Sequence, residues 1–573
     1  MQRRSGGNIL IESLRVHGVR KIFCVPGESY LDALDALSDA DDVRVVTCRQ
    51  EGGAAFMAEA YAKLTGHPGV CFVSRGPGAC NAAIGVHTAM QDSTPLILLI
   101  GQVPLGRMGR EAFQEIDYRR MFQPPVAKWV TQIEKADDIP RIMEQAFEIA
   151  AEGRPGPVVI SLPEDMLRDM SEAEMVYPKT PAHFSPRQHD IAALKEILQG
   201  AKKPLVIAGG GSWSDAAIRQ FGNFCERARL PVATGFRRQD AFNNDHDCYV
   251  GVLGSVSDSR LLAHVEEADV ILAVGTRLGE IVTQGYSIIA PQQTLIHVYP
   301  EASELNRVYR AALAIHATVC AFAQAVDGLE IEGSAWAGWT EQLRGEYADW
   351  TTVRSRDKFA LDLDGVMEDL REALPADAII TTDAGNFAGW GQRFLSYNRP
   401  MRLLGPASGA MGYGVPAAVA ASITYPERTV VGFAGDGGFM MTGQELATAM
   451  HMKATPILLV FNNNMYGTIR MHQEKHYPGR VSATDLTNPD FAALASSYGA
   501  EGMTVSKTAE FLPAFKKALQ SKKLTLIDLK MDPQQISTEK TLAEIGANPT
   551  SVTPAQAGAH PHDGAYGFPP SRE

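Results

Sequence analysis

Cysteine is scarce in this 573-residue chain: there are seven, an odd number, and no two stand in C-x-x-C spacing. That pattern argues against a disulfide framework or a zinc ribbon and fits reduced thiols in a cytoplasmic protein. Long apolar runs are lacking too. The longest aliphatic stretch, Leu96 to Ile100, falls far short of the roughly 18 residues that span a bilayer. Positive charge is in deficit, with 53 Lys and Arg against 66 Asp and Glu and a formal net charge of −13. Neither nucleic acid nor an anionic membrane surface is therefore expected as the main partner. The opening MQRRSGGNIL has two arginines but no apolar region of signal-peptide length, so the expectation is a soluble, cytoplasmic protein.

What the chain has in abundance is short apolar runs alternating with helical spacing, over a length that suggests roughly three to four domains. In a first block, 8–182, helical stretches (Ile9 to His17, Leu31 to Ser38, Ala54 to Thr65) alternate with strands (Ile22 to Val25, Gly69 to Ser74, Leu96 to Gly101, Val158 to Leu162). YPKTPAHFSP, from Tyr177 to Pro186, has three prolines and no periodicity and reads as a linker. A second block, 190–335, repeats the alternation with PLVIAGGG, DVILAVGTRL and TLIHVYP; its Gly209-Gly210-Gly211 lacks G-x-G-x-x-G spacing and reads as a structural turn. A third block, 355–535, contains AIITTDAGN and the motif described next. The alternation predicts an α/β fold of three doubly wound, parallel-sheet domains. The last stretch, 545–573, is rich in small residues, Pro, His and Gly and is expected to be disordered, with His560 and His562 as solvated tail residues.

In the third block an apolar run, Thr429 to Ala434, ends in Gly435-Asp436-Gly437-Gly438 and is followed by helical spacing; a second run, Pro456 to Phe461, ends in Asn462-Asn463-Asn464. Glycines let a backbone approach a ligand, and the helix start offers unpaired N–H groups to an anion, which makes a phosphate site the simplest reading. No lysine stands in the loop. Asp436 and the amide oxygen of Asn463 instead suit a hard cation such as Mg²⁺, which would neutralise a diphosphate. A lone Gly-Asp-Gly would more simply be a tight turn; the distal asparagines at strand ends favour the site.

The GDG motif followed by NN resembles the thiamine diphosphate signature of the acetolactate synthase, pyruvate decarboxylase and benzoylformate decarboxylase superfamily, and the likeness runs from about Asn8 to Asp532, closest to the acetolactate synthase large subunit. It implies that Asp436, Asn463 and the Met465 carbonyl hold Mg²⁺, with Gly437, Gly438, Tyr466 and Gly467 around the same cofactor. RQEGGAAFMAEAYAKLTG resembles the family's glutamate-bearing helix and gives Glu51 the role of partner to the aminopyrimidine, where it promotes the tautomer that removes the thiazolium proton. SGAMGYGVPAA resembles the segment supporting the bent cofactor, which places Met411 under the bend and Gly409 and Gly412 beside it. CVPGESY (Pro26, Gly27), SRGPGACN (Asn81) and DAGN (Gly385, Asn386) resemble further cofactor segments. EAFQEID resembles a substrate-facing loop with Phe113 and Gln114. In this family Glu51 of one subunit serves the cofactor of another, so a homodimer or homotetramer is implied.

Two segments depart from the family's synthases. TIRMHQE puts His472 where they usually carry a tryptophan. GVLGSVSD replaces a Gly, Met and His-rich stretch of the flavin-containing members, while Gly275-Thr276-Arg277 partly matches their flavin-side segment, so FAD stays open. The leading expectation is a carboligase that decarboxylates a pyruvate-like 2-keto acid and adds the acyl unit to a second carbonyl. A plain decarboxylase is the alternative, disfavoured because PLILLIGQVP lacks the paired histidines that pyruvate decarboxylases use for protonation. A flavin-dependent oxidase and a non-catalytic scaffold rank lower, the latter because Glu51, Asp436 and Asn463 are all present.

Overall fold

The computed structural model describes residues 3–179 and 184–547. Three six-stranded sheets, every pairing within them parallel, organise the chain. The first contains β1 (Lys21–Cys24), β2 (Arg44–Thr47), β3 (Gly69–Val73), β4 (Leu96–Gln102), β5 (Trp129–Gln132) and β6 (Pro157–Pro163) in the order β2-β1-β3-β4-β6-β5. The second contains β7 (Pro204–Ala208), β8 (Val232–Gly235), β9 (Tyr249–Leu253), β10 (Val270–Val274), β11 (Thr294–Tyr299) and β12 (Leu313–His316) in the order β9-β8-β7-β10-β11-β12. The third, of β13 (Ile379–Thr382), β14 (Arg402–Leu404), β15 (Val430–Gly435), β16 (Ile457–Asn462), β17 (Glu501–Val505) and β18 (Thr525–Lys530), runs β14-β13-β15-β16-β18-β17. The first and third sheets thus share one strand order, and the middle sheet has another.

Helices cover both faces of central strands, which is why β4 and β6 are buried at every residue and read as unbroken apolar runs rather than as alternation. The helices that build the site are α1 (Glu51–Thr65), α2 (Gly76–Asp92), α3 (Asp215–Ala228), α4 (Gly414–Thr424), α5 (Asp436–Thr442), α6 (Gly467–His476) and α7 (Leu542–Ala547). Alanines on α1 and α4, among them Ala54, Ala58, Ala417 and Ala421, join one core that spans the first and third sheets. A Cβ on Gly85 of α2 would collide with Ala55, so glycine there sets how closely α1 and α2 pack.

One buried polar group crosses this packing. Lys63 pairs with Glu59 (2.9 Å) and Asp92, while Glu59 also accepts from Tyr413 Oη (2.6 Å) and Thr94 Oγ1 (2.8 Å). Its members come from α1, α2, the turn after α2 and the segment before α4, so it ties the first and third sheets together.

Two sequence expectations are corrected. The helical run expected after Asp436 is broken: α5 ends at Thr442, a 3-10 turn covers Gly443–Glu445, and a new helix covers Leu446–Met452. A Cβ on Gly443 would lie 2.8 Å from the Phe439 ring, and the turn aims the Glu445 carboxylate at the backbone N–H groups of Arg49 and Gln50. Nor does order stop at 545. Residues 545–547 end α7, whose Leu542 packs in a small cluster with Met465 and Ile536 because these apolar groups would otherwise face water. The remainder of the expected tail, 548–573, lies outside the described residues, as do 180–183 of the linker. Among the described residues, no helix is long and apolar enough to cross a membrane.

Candidate active site

In an open parallel sheet, loops diverge where the strand order reverses, and the crevice beyond the carboxyl ends of those strands receives ligands. In the third sheet that point lies between β13 and β15. Asp383 to Asn386 follow β13, and Asp436-Gly437-Gly438 follow β15 at the start of α5. Asp436 is 3% exposed; its Oδ1 accepts from the Gly437 N–H (2.9 Å) and its Oδ2 from Asn488 Nδ2 (2.9 Å). Burial pushes its carboxyl up from the ordinary range, and these hydrogen bonds oppose the shift.

The next strand, β16, ends in the asparagines. Asn488 also donates to Asn462 Oδ1 (3.0 Å) and Asn464 Oδ1 (3.2 Å), and Asn463 Oδ1 accepts from the Met465 N–H (3.2 Å). Asn464 has φ 56, a turn that an asparagine tolerates. Asp436 and the asparagine run, distant in sequence, are thus brought together around Asn488, and their carboxylate and amide oxygens are of the type that hard divalent cations take.

Glycines let the loops at this point pack closely on one another. A Cβ on Gly437 would stand 2.5 Å from the Tyr466 ring, one on Gly438 2.5 Å from Asp383 Oδ2, and one on Gly435 2.8 Å from Phe387. Gly385 has φ 150 and Gly412 φ 86. Asp383, which sequence reasoning missed, is fully buried and accepts from the N–H groups of Ala384 (2.7 Å) and Gly412 (2.9 Å), anchoring the loop that carries Gly409 and half-buried Met411. Burial raises its carboxyl to about 6 against the hydrogen bonds that lower it. The position of Asp383 at a strand end, as for Asp436, was the signal that could have found it. Nothing local marked Asn488. Asn386 is committed to Thr468 Oγ1 of α6 (2.9 Å) and to the Ile536 carbonyl (2.9 Å), and Gly467 leaves 3.0 Å between its own would-be Cβ and Asn463 Nδ2.

The first sheet reverses order between β1 and β3, at the matching place. Pro26 and Gly27 follow β1, and the loop into α2 follows β3; a Cβ on Gly27 would lie 2.6 Å from Ser74. Glu51 opens α1 and its Oε2 accepts from Asn81 Nδ2 on α2 (2.8 Å). Gly78 passes beside the same carboxylate, with its would-be Cβ 3.6 Å from Oε1. Gln114, at φ 65, receives the Gly76 N–H on its carbonyl (3.0 Å), which brings the Phe113-Gln114 loop to the start of α2 and leaves Phe113 71% exposed.

No hydrogen bond or ion pair among the described residues joins Glu51 to Asp436, Asn463 or Met411, although the neighbouring N–H groups of Arg49 and Gln50 donate to Glu445 (3.1 and 3.0 Å). His472 lies on α6 with its residue surface exposed, its ring parallel to that of His476 at 6.2 Å; the partial burial of the ring, then His476 and Lys475, lower its pKa. In the middle sheet, Gly210 packs directly on the Gly275 backbone, and Arg277 is held by Glu304 (3.3 Å), which also takes Arg154 (2.9 Å). The arginine that matched a flavin-side segment therefore already has a carboxylate partner.

Paired switch points of equal topology, one with a carboxylate at a helix start and one with a carboxylate among glycines and asparagines, define a cofactor-dependent α/β enzyme. The chain belongs to the thiamine pyrophosphate enzymes: residues 4–121 match their N-terminal TPP binding domain, 191–326 the central domain and 383–529 the C-terminal TPP binding domain. Over nearly its full length it is similar to acetolactate synthase large subunits. It is 31% identical over 530 residues to the isozyme 2 large subunit of Escherichia coli, covering 92% of this chain and 96% of that one. It is 33% identical over 554 residues to the probable large subunit of Methanocaldococcus jannaschii (92% of each) and 34% over 544 residues to that of Parasynechococcus marenigrum (92% and 88%).

Proposed function

We propose that the chain decarboxylates a pyruvate-like 2-keto acid and transfers the acyl unit to a second carbonyl, with thiamine diphosphate and Mg²⁺, a reading supported by its similarity to relatives named acetolactate synthase large subunit. The observation that carries this reading is the Asp436 carboxylate, buried among glycines at one switch point, facing the asparagine run at the end of β16. Asp436, the Asn463 amide and the Met465 carbonyl would hold Mg²⁺. Gly437, Gly438, Tyr466, Gly467, Gly385 and Asn386 would surround the diphosphate, where any Cβ on Gly437 or Gly438 meets protein atoms. The donors present therefore fit the group.

When bound, thiamine diphosphate supplies the electron sink that decarboxylation needs. Glu51 would share a proton with the aminopyrimidine, and the Asn81 side chain fixes which way its carboxylate faces. Met411, held on a loop tied to Asp383, would prop the bend of the cofactor, with Gly409, Pro26 and Gly27 at its ring. Gln114 and Phe113 would meet substrate beside α2, and His472 would edge the acceptor pocket. Sharing of the site between two subunits is supported by exposed Met440 (53%), Met441 (46%) and Ile84 (42%), on the helices that carry Asp436 and Asn81. Mass spectrometry of products from pyruvate, with and without a second keto acid or aldehyde, tests the reading. A carboligation product is expected; release of an aldehyde alone would replace it with a plain decarboxylase, and a yellow holoenzyme would restore the flavin.

A further inference from the structure

We infer that the junction of the three domains holds a binding site for a phosphate-bearing small molecule of nucleotide size, separate from the cofactor site. A cavity of about 540 Å³ opens there. Its walls are the end of α1 (63–66), the loop into α3 (210–215) with Arg238, and the third domain's Arg399, Arg402 and Arg428. None of the residues assigned to the cofactor lines it. It lies beside the switch point of the middle sheet: the loop after β7 lines it, while the loop after β10, on which Gly210 packs, contributes no part of the lining.

The charge of the cavity runs against that of the chain. Five cations and only two carboxylates, Asp215 and Asp240, line it, in a protein of net charge −13. Lys63 is already neutralised by Glu59 and Asp92. Asp240 is shared between Arg402 (3.0 Å) and Arg399 (3.9 Å). Arg238 and Arg428 make no ion pair among the described residues. Arg238 donates to the Asp92 carbonyl (3.1 Å), and Arg428 to the carbonyls of Asp377 (2.6 Å) and Pro400 (2.8 Å). Carbonyls orient these guanidinium groups without cancelling their charge, which leaves planar N–H forks of the kind that bind phosphate oxygens.

Backbone geometry adds to the side chains. The 14-residue α3 points its start into the cavity, after a loop with positive φ at Gly210 (71) and Ser212 (68). The N–H groups of residues 211–213, 215 and 216 donate to no acceptor among the described residues. A helix start of this kind attracts anions. Asp215 now occupies it and holds Arg399 at 3.1 Å, but its side chain is 57% exposed and is free to swing away. The volume far exceeds one phosphate and falls in the range of small-molecule pockets, and Trp213 and Tyr425 give the walls aromatic surface for a base or sugar.

The test uses holoenzyme saturated with thiamine diphosphate and excess Mg²⁺, so that the cofactor's own diphosphate site is filled. Calorimetric titration with ADP, inorganic diphosphate and adenosine should show ADP binding, with a raised unfolding midpoint, and adenosine at least tenfold weaker. Arg238→Gln combined with Arg428→Gln strands no carboxylate and should weaken ADP at least tenfold with basal turnover unchanged. Should that pair fail to fold, Asp215→Asn, at the exposed rim, should tighten ADP. The inference is overturned if neither ADP nor inorganic diphosphate binds wild-type holoenzyme at millimolar concentration, if adenosine binds as well as ADP, or if the substitutions leave ADP affinity unchanged.

Discussion

Glu51→Gln separates a proton-sharing role from a structural one, and the structure sets the scale of each. The Glu51 carboxylate accepts one hydrogen bond, from Asn81 at 2.8 Å, and stands at the first position of α1. Glutamine keeps a carbonyl oxygen for Asn81, so folding loses only the difference between a charged and a neutral hydrogen bond, about 1 kcal/mol, and the attraction of a charge to a helix start, about 0.3–1 kcal/mol. A total of about 1–2 kcal/mol, even if all of it reached the transition state, would slow turnover by no more than about 30-fold. Loss of an acid–base group costs about 10²–10⁴-fold. Turnover should therefore fall beyond the structural ceiling, with urea denaturation showing a loss of at most about 2 kcal/mol and cofactor affinity little changed. The decisive assay is hydrogen–deuterium exchange at C2 of the bound thiamine: exchange as fast in the glutamine variant as in wild type would refute the role given to Glu51.

Asp436→Ala should abolish retention of thiamine diphosphate at micromolar Mg²⁺ on gel filtration, and equal retention would remove Asp436 from the metal set. Lys63→Met strands the buried carboxylates of Glu59 and Asp92 and should cost about 3–5 kcal/mol in urea unfolding, far more than a surface lysine. Asp383 titrates near 6 when folded, above the ordinary 3.8, so the folded state binds its proton more tightly; its contribution favours folding at low pH and is lost as pH rises through about 6. Asp383→Asn should accordingly flatten by about 2–3 kcal/mol the decline of stability between about pH 4 and 6, read from unfolding midpoints. Removing 548–573 should leave activity unchanged, whereas removing α7 as well uncovers Met465 and Ile536 and should raise the Mg²⁺ concentration needed for half-maximal activity.

The strand ends were legible in the chain itself. The runs before Asp436 and before Asn462 end within a residue of where β15 and β16 end, because apolar runs buried on both faces are local signals, and glycine-rich loops mark where they stop. The helix start at Glu51 and the carboxylate and amide side chains at both strand ends could be read for the same reason. What the sequence could not show is which distant residues complete the site. Asn488 lies 52 residues from Asp436, and Glu445 lies 395 from the Gln50 N–H it receives. No periodicity links such positions; they meet because parallel strands carry their loops to one end of the sheet, and because the alanine faces of α1 and α4 bring the first and third sheets together. The break at Gly443, the docking of α7 on Met465 and the arginine-lined cavity belong to this second kind. Each depends on how separate elements pack, a free energy that short stretches of sequence do not carry.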